Sequence, residues 1–139
     1  MIGTNQDEFT MFTALRYLRL GRTMTAAEYP GVLADIFGPT VGRWGHYPPD
    51  RYGGDVSLAY AAAVTDGVFA CVADRIGEAL RRGAPVYAYE FDDRGAPAPE
   101  PLRRAPFPLG ASHSLELRYL FAVGGAPPLS LNPWMVPVI

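Results

Sequence analysis

The pattern of apolar and polar residues along the chain predicts five helices. In each of them apolar side chains recur every three to four residues, which places them on one face. The helices are expected from near Glu8 past Leu18, from Thr25 to Phe37, from Asp55 to Val64, from Phe69 to Leu80, and from Leu115 to Phe121. Asp55 is expected to cap the third helix, and the pair Asp66-Gly67 to separate the third from the fourth.

Two short segments have the pattern of β-strands. Met1-Ile2-Gly3 resembles the end of an apolar strand, and Val86–Phe91 is aromatic and lies between Pro85 and a turn. So few strands do not form a complete sheet, but they suit the edge of a larger α/β sheet. The expected fold class is α/β, with mostly helices, long loops and few strands, in a single segment of residues 1–139.

Composition narrows the classes of partner. The 14 acidic residues outnumber the 12 basic ones, and no basic stripe is available to bind a phosphate backbone, so nucleic acid is not expected as a partner. No stretch is expected to reach transmembrane length, and the first residues lack the basic and apolar regions of a signal peptide. No membrane association is therefore expected, and the cytoplasm is the default location. The single Cys71 is expected to be a buried free thiol.

Three residues could carry chemistry, although each also has a simple structural explanation. In the structural explanation, Glu8 is an acid in the first turn of a helix, where the helix dipole stabilises it. His113 would be a half-exposed loop histidine. His46 could line a binding gorge or pack within its aromatic loop. Two distant histidines without a cluster of ligands do not predict a metal site, and no cofactor is expected.

Four motifs change this interpretation because they occur in order and at matching spacing. They are Ile2-Gly3-Thr4-Asn5-Gln6-Asp7-Glu8, Asp66-Gly67-Val68-Phe69-Ala70-Cys71, Pro85-Val86-Tyr87-Ala88-Tyr89-Glu90-Phe91, and Gly110-Ala111-Ser112-His113-Ser114-Leu115-Glu116-Leu117. Together they resemble the C-terminal portion of the type-B, or cholinesterase-like, carboxylesterases. The resemblance covers residues 1 to about 128, and the tail of residues 129–139 diverges from the family pattern.

The resemblance implies a partial α/β-hydrolase fold and a catalytic triad. It implies that Glu8 is the triad acid and His113 the triad base, with Glu116 and Asp66 as supporting acidic residues. Glu116 could equally be an exposed acid in the first turn of a helix. Asp66 could equally be a helix cap. The G-x-S-x-G motif that carries the nucleophilic serine in α/β-hydrolases is missing from the sequence.

Three functions are compatible with these residues. The first is a segment of a serine carboxylesterase, which acts on a small-molecule ester once an upstream portion supplies the serine. The second is a catalytically inactive truncated product, or interaction module, that associates with itself or another chain through exposed apolar surface. The third, an esterase that uses Cys71 or Ser112 as its nucleophile, is disfavoured because neither lies in a nucleophile motif.

Overall fold

The computed structural model describes residues 1–38 and 46–121, which form five α-helices and one small parallel sheet. The strands are β1 (Ile2–Asn5) and β2 (Ala88–Phe91), and the helices are α1 (Thr10–Leu20), α2 (Tyr29–Phe37), α3 (Val56–Val64), α4 (Cys71–Leu80) and α5 (Leu117–Leu120). Short 3₁₀ turns occur at Pro49–Tyr52 and Leu102–Arg104. Trp44 and the divergent tail of residues 129–139 lie outside the described residues.

The two predicted strands pair directly with each other. β1 and β2 are parallel, with Ile2 opposite Ala88 and Asn5 opposite Phe91. β1 is longer than the expected Met1–Gly3 stub, whereas β2 begins two residues later than the expected Val86. The ring of Tyr89 lies so close to Gly3 that a Cβ atom at residue 3 would overlap it. This sheet places the residues that follow β1 beside the end of β2.

The prediction that Asp66-Gly67 separates two helices was wrong. α3 and α4 are joined by a π-helical turn at Thr65–Ala70, so that Val56–Leu80 forms one helix of 25 residues. Gly67 lies against the ring of Phe37, which a Cβ atom at residue 67 would overlap. Packing against α2 therefore gives this glycine a role inside the helix, and the π-turn accommodates it without a break.

The continuous helix also corrects the expectation about transmembrane length. Val56–Leu80 is long and apolar enough to cross a membrane by length and composition, although a third of its most apolar window is buried within the protein. Its alanine-rich first half supplies the buried residues Ala59, Ala61, Ala63 and Val64. Burial inside the protein thus accounts for the apolar composition of that half.

Two buried clusters hold the helices together. One is formed by Met24, Tyr29, Leu33, Ala59 and Ala63, which join α2 to α3. The other packs Ala14 of α1 against Leu102, Phe107 and Leu109 of the proline-rich connector. At the start of α3, Asp55 accepts hydrogen bonds from the backbone N–H groups of Ser57 and Leu58 at 2.7 and 3.2 Å, which confirms the predicted cap.

Several apolar positions that share a helix face are exposed rather than buried. In α1 the buried residues are Thr10, Thr13 and Ala14, whereas Leu15 and Leu18 are 47% and 37% exposed. In α4 the exposed side chains are Val72, Ile76 and Leu80, at 44–55%. Cys71 is exposed as well, so the expectation of a buried thiol was wrong. Among the described residues nothing covers this face of α4.

Candidate active site

The first part of the site is the acid loop, residues 6–9, which joins β1 to α1. Glu8 is buried in this loop, with 6% of its surface exposed. It precedes the helix, and the first turn of α1 contains no acidic residue. The backbone N–H of Asn5 donates to Oε1 of Glu8 at 2.8 Å. The carboxylate is therefore held by the end of β1 and does not serve as a first-turn acid of the helix.

The second part of the site is the histidine loop, residues 109–116, which leads from the proline-rich connector into α5. Two of its residues adopt left-handed backbone conformations, Gly110 with φ 62° and Ser114 with φ 69°. This conformation costs little for glycine, but it is uncommon for serine and stores some strain next to His113. Backbone atoms connect the two loops, because the N–H of His113 donates to the carbonyl of Glu8 at 3.4 Å.

The structure brings Glu8 and His113 into direct contact as a dyad. Oε2 of Glu8 lies 2.7 Å from Nδ1 of His113, across 105 residues of chain. The carboxylate side chain is 8% exposed and the imidazole side chain 39% exposed. Because an ionised carboxylate only accepts hydrogen bonds, the proton of a neutral ring belongs on Nδ1. Nε2 then carries the free lone pair, and none of the described residues forms a hydrogen bond with it.

Two phenylalanine rings flank the imidazole. The centroid of Phe12 lies 5.4 Å from that of His113, and the centroid of Phe69 lies 5.7 Å away. Phe12 comes from α1 and Phe69 from the π-turn, and their own rings stack at 6.4 Å. These contacts limit rotation of the ring, which favours one orientation towards Glu8.

Asn5 links the acid loop to the far side of the histidine loop. Its Nδ2 atom donates to the backbone carbonyl of Ser112 at 2.9 Å and to Oε2 of Glu116 at 2.5 Å. Because the Asn5 backbone N–H also binds Glu8, Glu116 is connected to the carboxylate of Glu8 through a single residue. Glu116 is half-buried and pairs with Asn5, so it is not the exposed first-turn acid of the alternative interpretation.

The structure does not bring Asp66 to this site. Asp66 is exposed within the π-turn and does not cap a helix. Its carboxylate accepts a hydrogen bond from the hydroxyl of Tyr47 at 2.7 Å. Burial, and then this bond to Asp66, raises the pKa of Tyr47. Both predicted roles for Asp66 therefore fail, because the continuous helix turns it away from the dyad towards the loop before α3.

Asn5 and Tyr89 were not predicted as site residues, although both lie in motifs that resemble the family. Tyr89 crosses β1 at Gly3, and its pKa is raised by burial and then by the negative charges of Glu116 and Glu8. The signal for Asn5 was its place in the same seven-residue motif as Glu8. Its long-range partners become visible only when the two loops are folded together.

The alternative nucleophiles are poorly placed. Ser112 is 1% exposed, and its Oγ atom is buried without a hydrogen-bond partner among the described residues. Cys71 is exposed at the start of α4, but no contact of its thiol with His113 is found in the described part of the chain. His46 is exposed rather than packed into its loop. Residues 1–38 and 46–121 contain no group of three or more His, Cys, Asp or Glu side chains that could hold a metal ion.

Comparison with known proteins identifies the family of the chain. The sequence model of the carboxylesterase family matches residues 1–132, slightly beyond the residue 128 at which the sequence resemblance was expected to fade. No curated protein and no solved structure matches the chain. The family match covers nearly the whole sequence and includes both loops of the site. The chain belongs to the carboxylesterase family.

Proposed function

We propose that this chain supplies the acid and the base of a Ser–Glu–His triad for the hydrolysis of carboxylic esters. The observation that carries the proposal is the 2.7 Å contact between Oε2 of the buried Glu8 and Nδ1 of His113. Membership of the carboxylesterase family supports ester hydrolysis as the reaction class. In α/β-hydrolases the acid follows a strand and precedes the histidine in the chain, and Glu8 and His113 have that order.

In this proposal His113 acts through Nε2. The ring takes the proton of a serine hydroxyl as the serine oxygen attacks the ester carbonyl, and Glu8 stabilises the imidazolium that forms. The imidazolium then gives the proton to the leaving alkoxide, which departs as the alcohol and leaves an acyl-serine. A water molecule, deprotonated by the same nitrogen, releases the carboxylic acid.

The nucleophile would come from chain outside these 139 residues, which contain no G-x-S-x-G motif. The same portion would supply the oxyanion hole, which contributes much of the rate in acyl transfer. In the complete fold, β1 and β2 would be neighbours within a larger parallel sheet, and this chain would be its C-terminal part. The substrate would be a small-molecule ester, which binds only when this chain is joined to the serine-bearing portion.

A chimeric esterase tests this proposal. The serine-bearing portion of a carboxylesterase, truncated before its own triad acid, is fused to Met1, and turnover of p-nitrophenyl acetate is measured. Turnover is expected with the native sequence, with a loss on the order of 10⁴-fold in kcat for Glu8→Gln, by analogy with a triad acid changed to its amide. Labelling by a fluorophosphonate should occur on the serine of the fused portion.

The isolated chain provides the complementary measurement, which does not depend on the chimera folding. Without nucleophile and oxyanion hole it should hydrolyse p-nitrophenyl acetate no faster than free imidazole, and a fluorophosphonate should label none of its serines. Robust turnover, or a labelled serine within residues 1–139, would contradict the proposal.

A second candidate function, self-association, is favoured by one specific observation. Val72, Ile76 and Leu80 of α4 are each 44–55% exposed and follow one another at four-residue spacing along one helix. Contiguous exposed apolar residues of this kind mark protein contacts more often than free surface. The chain would then act as a module that binds a second copy of itself.

A further inference from the structure

We propose that Asp7 and Arg94 are positioning residues that set the orientation of His113 against Glu8, an inference that rests on the proposed function. Asp7 precedes Glu8 in the acid loop, and Arg94 lies in the turn after β2. Neither side chain touches the imidazole. Their effect on the dyad would pass through the backbone of the histidine loop, which Asp7 holds directly.

Asp7 and Ala111 form a paired contact between the acid loop and the histidine loop. The backbone N–H of Asp7 donates to the carbonyl of Ala111 at 3.1 Å. In return, the backbone N–H of Ala111 donates to Oδ2 of Asp7 at 3.0 Å. These bonds join the residue before Glu8 to a residue two positions before His113. The relative placement of the two loops is therefore fixed next to the dyad itself.

Gly110 makes this close approach possible. A Cβ atom at residue 110 would overlap the carboxylate of Asp7, and the φ of 62° at this glycine is unfavourable for other residues. Two separate features thus adapt the histidine loop to the Asp7 side chain. If the Asp7 carboxylate served only solubility, neither the missing Cβ atom nor the left-handed backbone of Gly110 would be needed.

Arg94 fixes the direction of the Asp7 carboxylate. Its Nε atom donates to Oδ2 of Asp7 at 3.2 Å and its Nη2 atom to Oδ1 at 3.4 Å. The turn that carries Arg94 is itself held, because Oδ1 of Asp93 accepts from the N–H of Gly95 and Oδ2 from the hydroxyl of Tyr119. The two-point contact prevents the carboxylate from turning away from Ala111.

Magnitudes favour orientation over stability as the role of this ion pair. The Arg94 side chain is 64% exposed and that of Asp7 is 21% exposed. Ion pairs this exposed contribute little to folding stability because water screens them. A misplacement of about 1 Å at a catalytic group, by contrast, can reduce the rate on the order of 100-fold. The pair can therefore matter for the dyad while mattering little for the fold.

The test is nitrogen and proton NMR of the histidine rings in the full chain, combined with thermal melts. Arg94→Gln removes the ion pair, Asp7→Asn keeps an acceptor for Ala111 while it loses the charge, and Asp7→Ala removes both contacts. Arg103→Gln is the matched control, since Arg103 is a similarly exposed arginine paired with Glu100. The readout is the Nδ1 proton signal of His113, which depends on the bond to Glu8.

The expected result is a graded loss. Asp7→Ala should abolish the Nδ1 proton signal, Arg94→Gln and Asp7→Asn should broaden it through faster exchange with water, and Arg103→Gln should leave it as in the native chain. The melting temperatures of Arg94→Gln and Arg103→Gln should remain close to that of the native chain. If Arg94→Gln and Asp7→Asn both leave the signal unchanged, the positioning role is refuted while the proposed function stands. If the native chain shows no such signal, the proposed function fails first.

Discussion

Nδ2 of Asn5 donates to Oε2 of Glu116 at 2.5 Å, and the same residue donates its backbone N–H to Glu8. One asparagine, 3% exposed, thus binds the carboxylates of both Glu8 and Glu116. The side-chain amide of Asn5 also donates to the backbone carbonyl of Ser112. This arrangement keeps two negative groups close together without direct contact between them.

Replacement of Asn5 is expected to destabilise the fold. Asn5→Ala leaves the Ser112 carbonyl and the Glu116 carboxylate without their donor, and a hydrogen bond to a charged group contributes about 1.5–3 kcal/mol. Asn5→Asp should be worse at neutral pH, because it places a third carboxylate beside Glu8 and Glu116. Urea unfolding at pH 7 measures both variants. A native-like free energy of unfolding for Asn5→Asp would contradict the described network.

Gly110→Ala tests the fit between the histidine loop and Asp7. The substitution combines backbone strain with overlap against the Asp7 carboxylate, for an expected loss of about 2–3 kcal/mol. Gly21→Ala is a matched control, because Gly21 has a φ of 68° but open space around its Cβ position. Strain alone there should cost about 1 kcal/mol.

The double variant Asp7→Ala with Gly110→Ala extends this comparison. If overlap with Asp7 accounts for the additional loss, removing the carboxylate should recover part of it, and the two changes will not be additive. Equal losses at Gly110 and Gly21, measured by the same unfolding experiment, would show that the Asp7 contact has no energetic consequence.

Alkaline pH should weaken the α2–α3 core through Tyr29. Burial raises the pKa of Tyr29 to about 12, and its hydroxyl donates to the carbonyl of Tyr47 at 2.9 Å. The folded state thus favours the protonated form, so this stabilisation is complete below pH 10, the ordinary value, and is lost as the pH rises from 10 to about 12. Tyr29→Phe should flatten this part of the stability profile. An identical decline in both proteins would refute the assignment.

Self-association through α4 is expected at micromolar concentration. Ile76→Glu places a charge in the exposed apolar row and should shift the chain towards monomer in analytical ultracentrifugation. Arg75→Gln changes the net charge by the same amount on another side of the helix and should leave association unchanged. A native chain that remains monomeric throughout, or an Ile76→Glu variant that associates equally, would rule out this surface as the contact.

The pairing of Glu8 with His113 could be predicted from the sequence only through the family resemblance, because each residue by itself also suits a simple structural role. Glu8 and His113 each lie in a short motif, and the Asp55 cap likewise depends on the next three residues. The order of Glu8 and His113 along the chain could also be compared directly with that of the acid and the histidine in α/β-hydrolases.

The remaining contacts depend on residues that are far apart in the chain. Asp66-Gly67 has the local pattern of a break, but the packing of Phe37 against Gly67 outweighs it. The pairing of β1 with β2 and the contact between Asp7 and Arg94 join segments more than eighty residues apart, so nothing in either segment alone indicates its partner. Burial of Cys71 was predicted from its residue type, whereas its exposure depends on what covers α4.

The position of the proton on the His113 ring decides whether Glu8 and His113 can act as acid and base. In the full chain, with ring nitrogens labelled and His46→Asn used to assign the two histidines, the account predicts that neutral His113 carries its proton on Nδ1 and a free lone pair on Nε2. Its Nδ1 proton should give a low-field signal that Glu8→Ala removes, because that proton lies in the 2.7 Å contact with Oε2. A ring protonated on Nε2, or an Nδ1 signal that Glu8→Ala leaves unchanged, would contradict the assignment of Glu8 and His113 as acid and base.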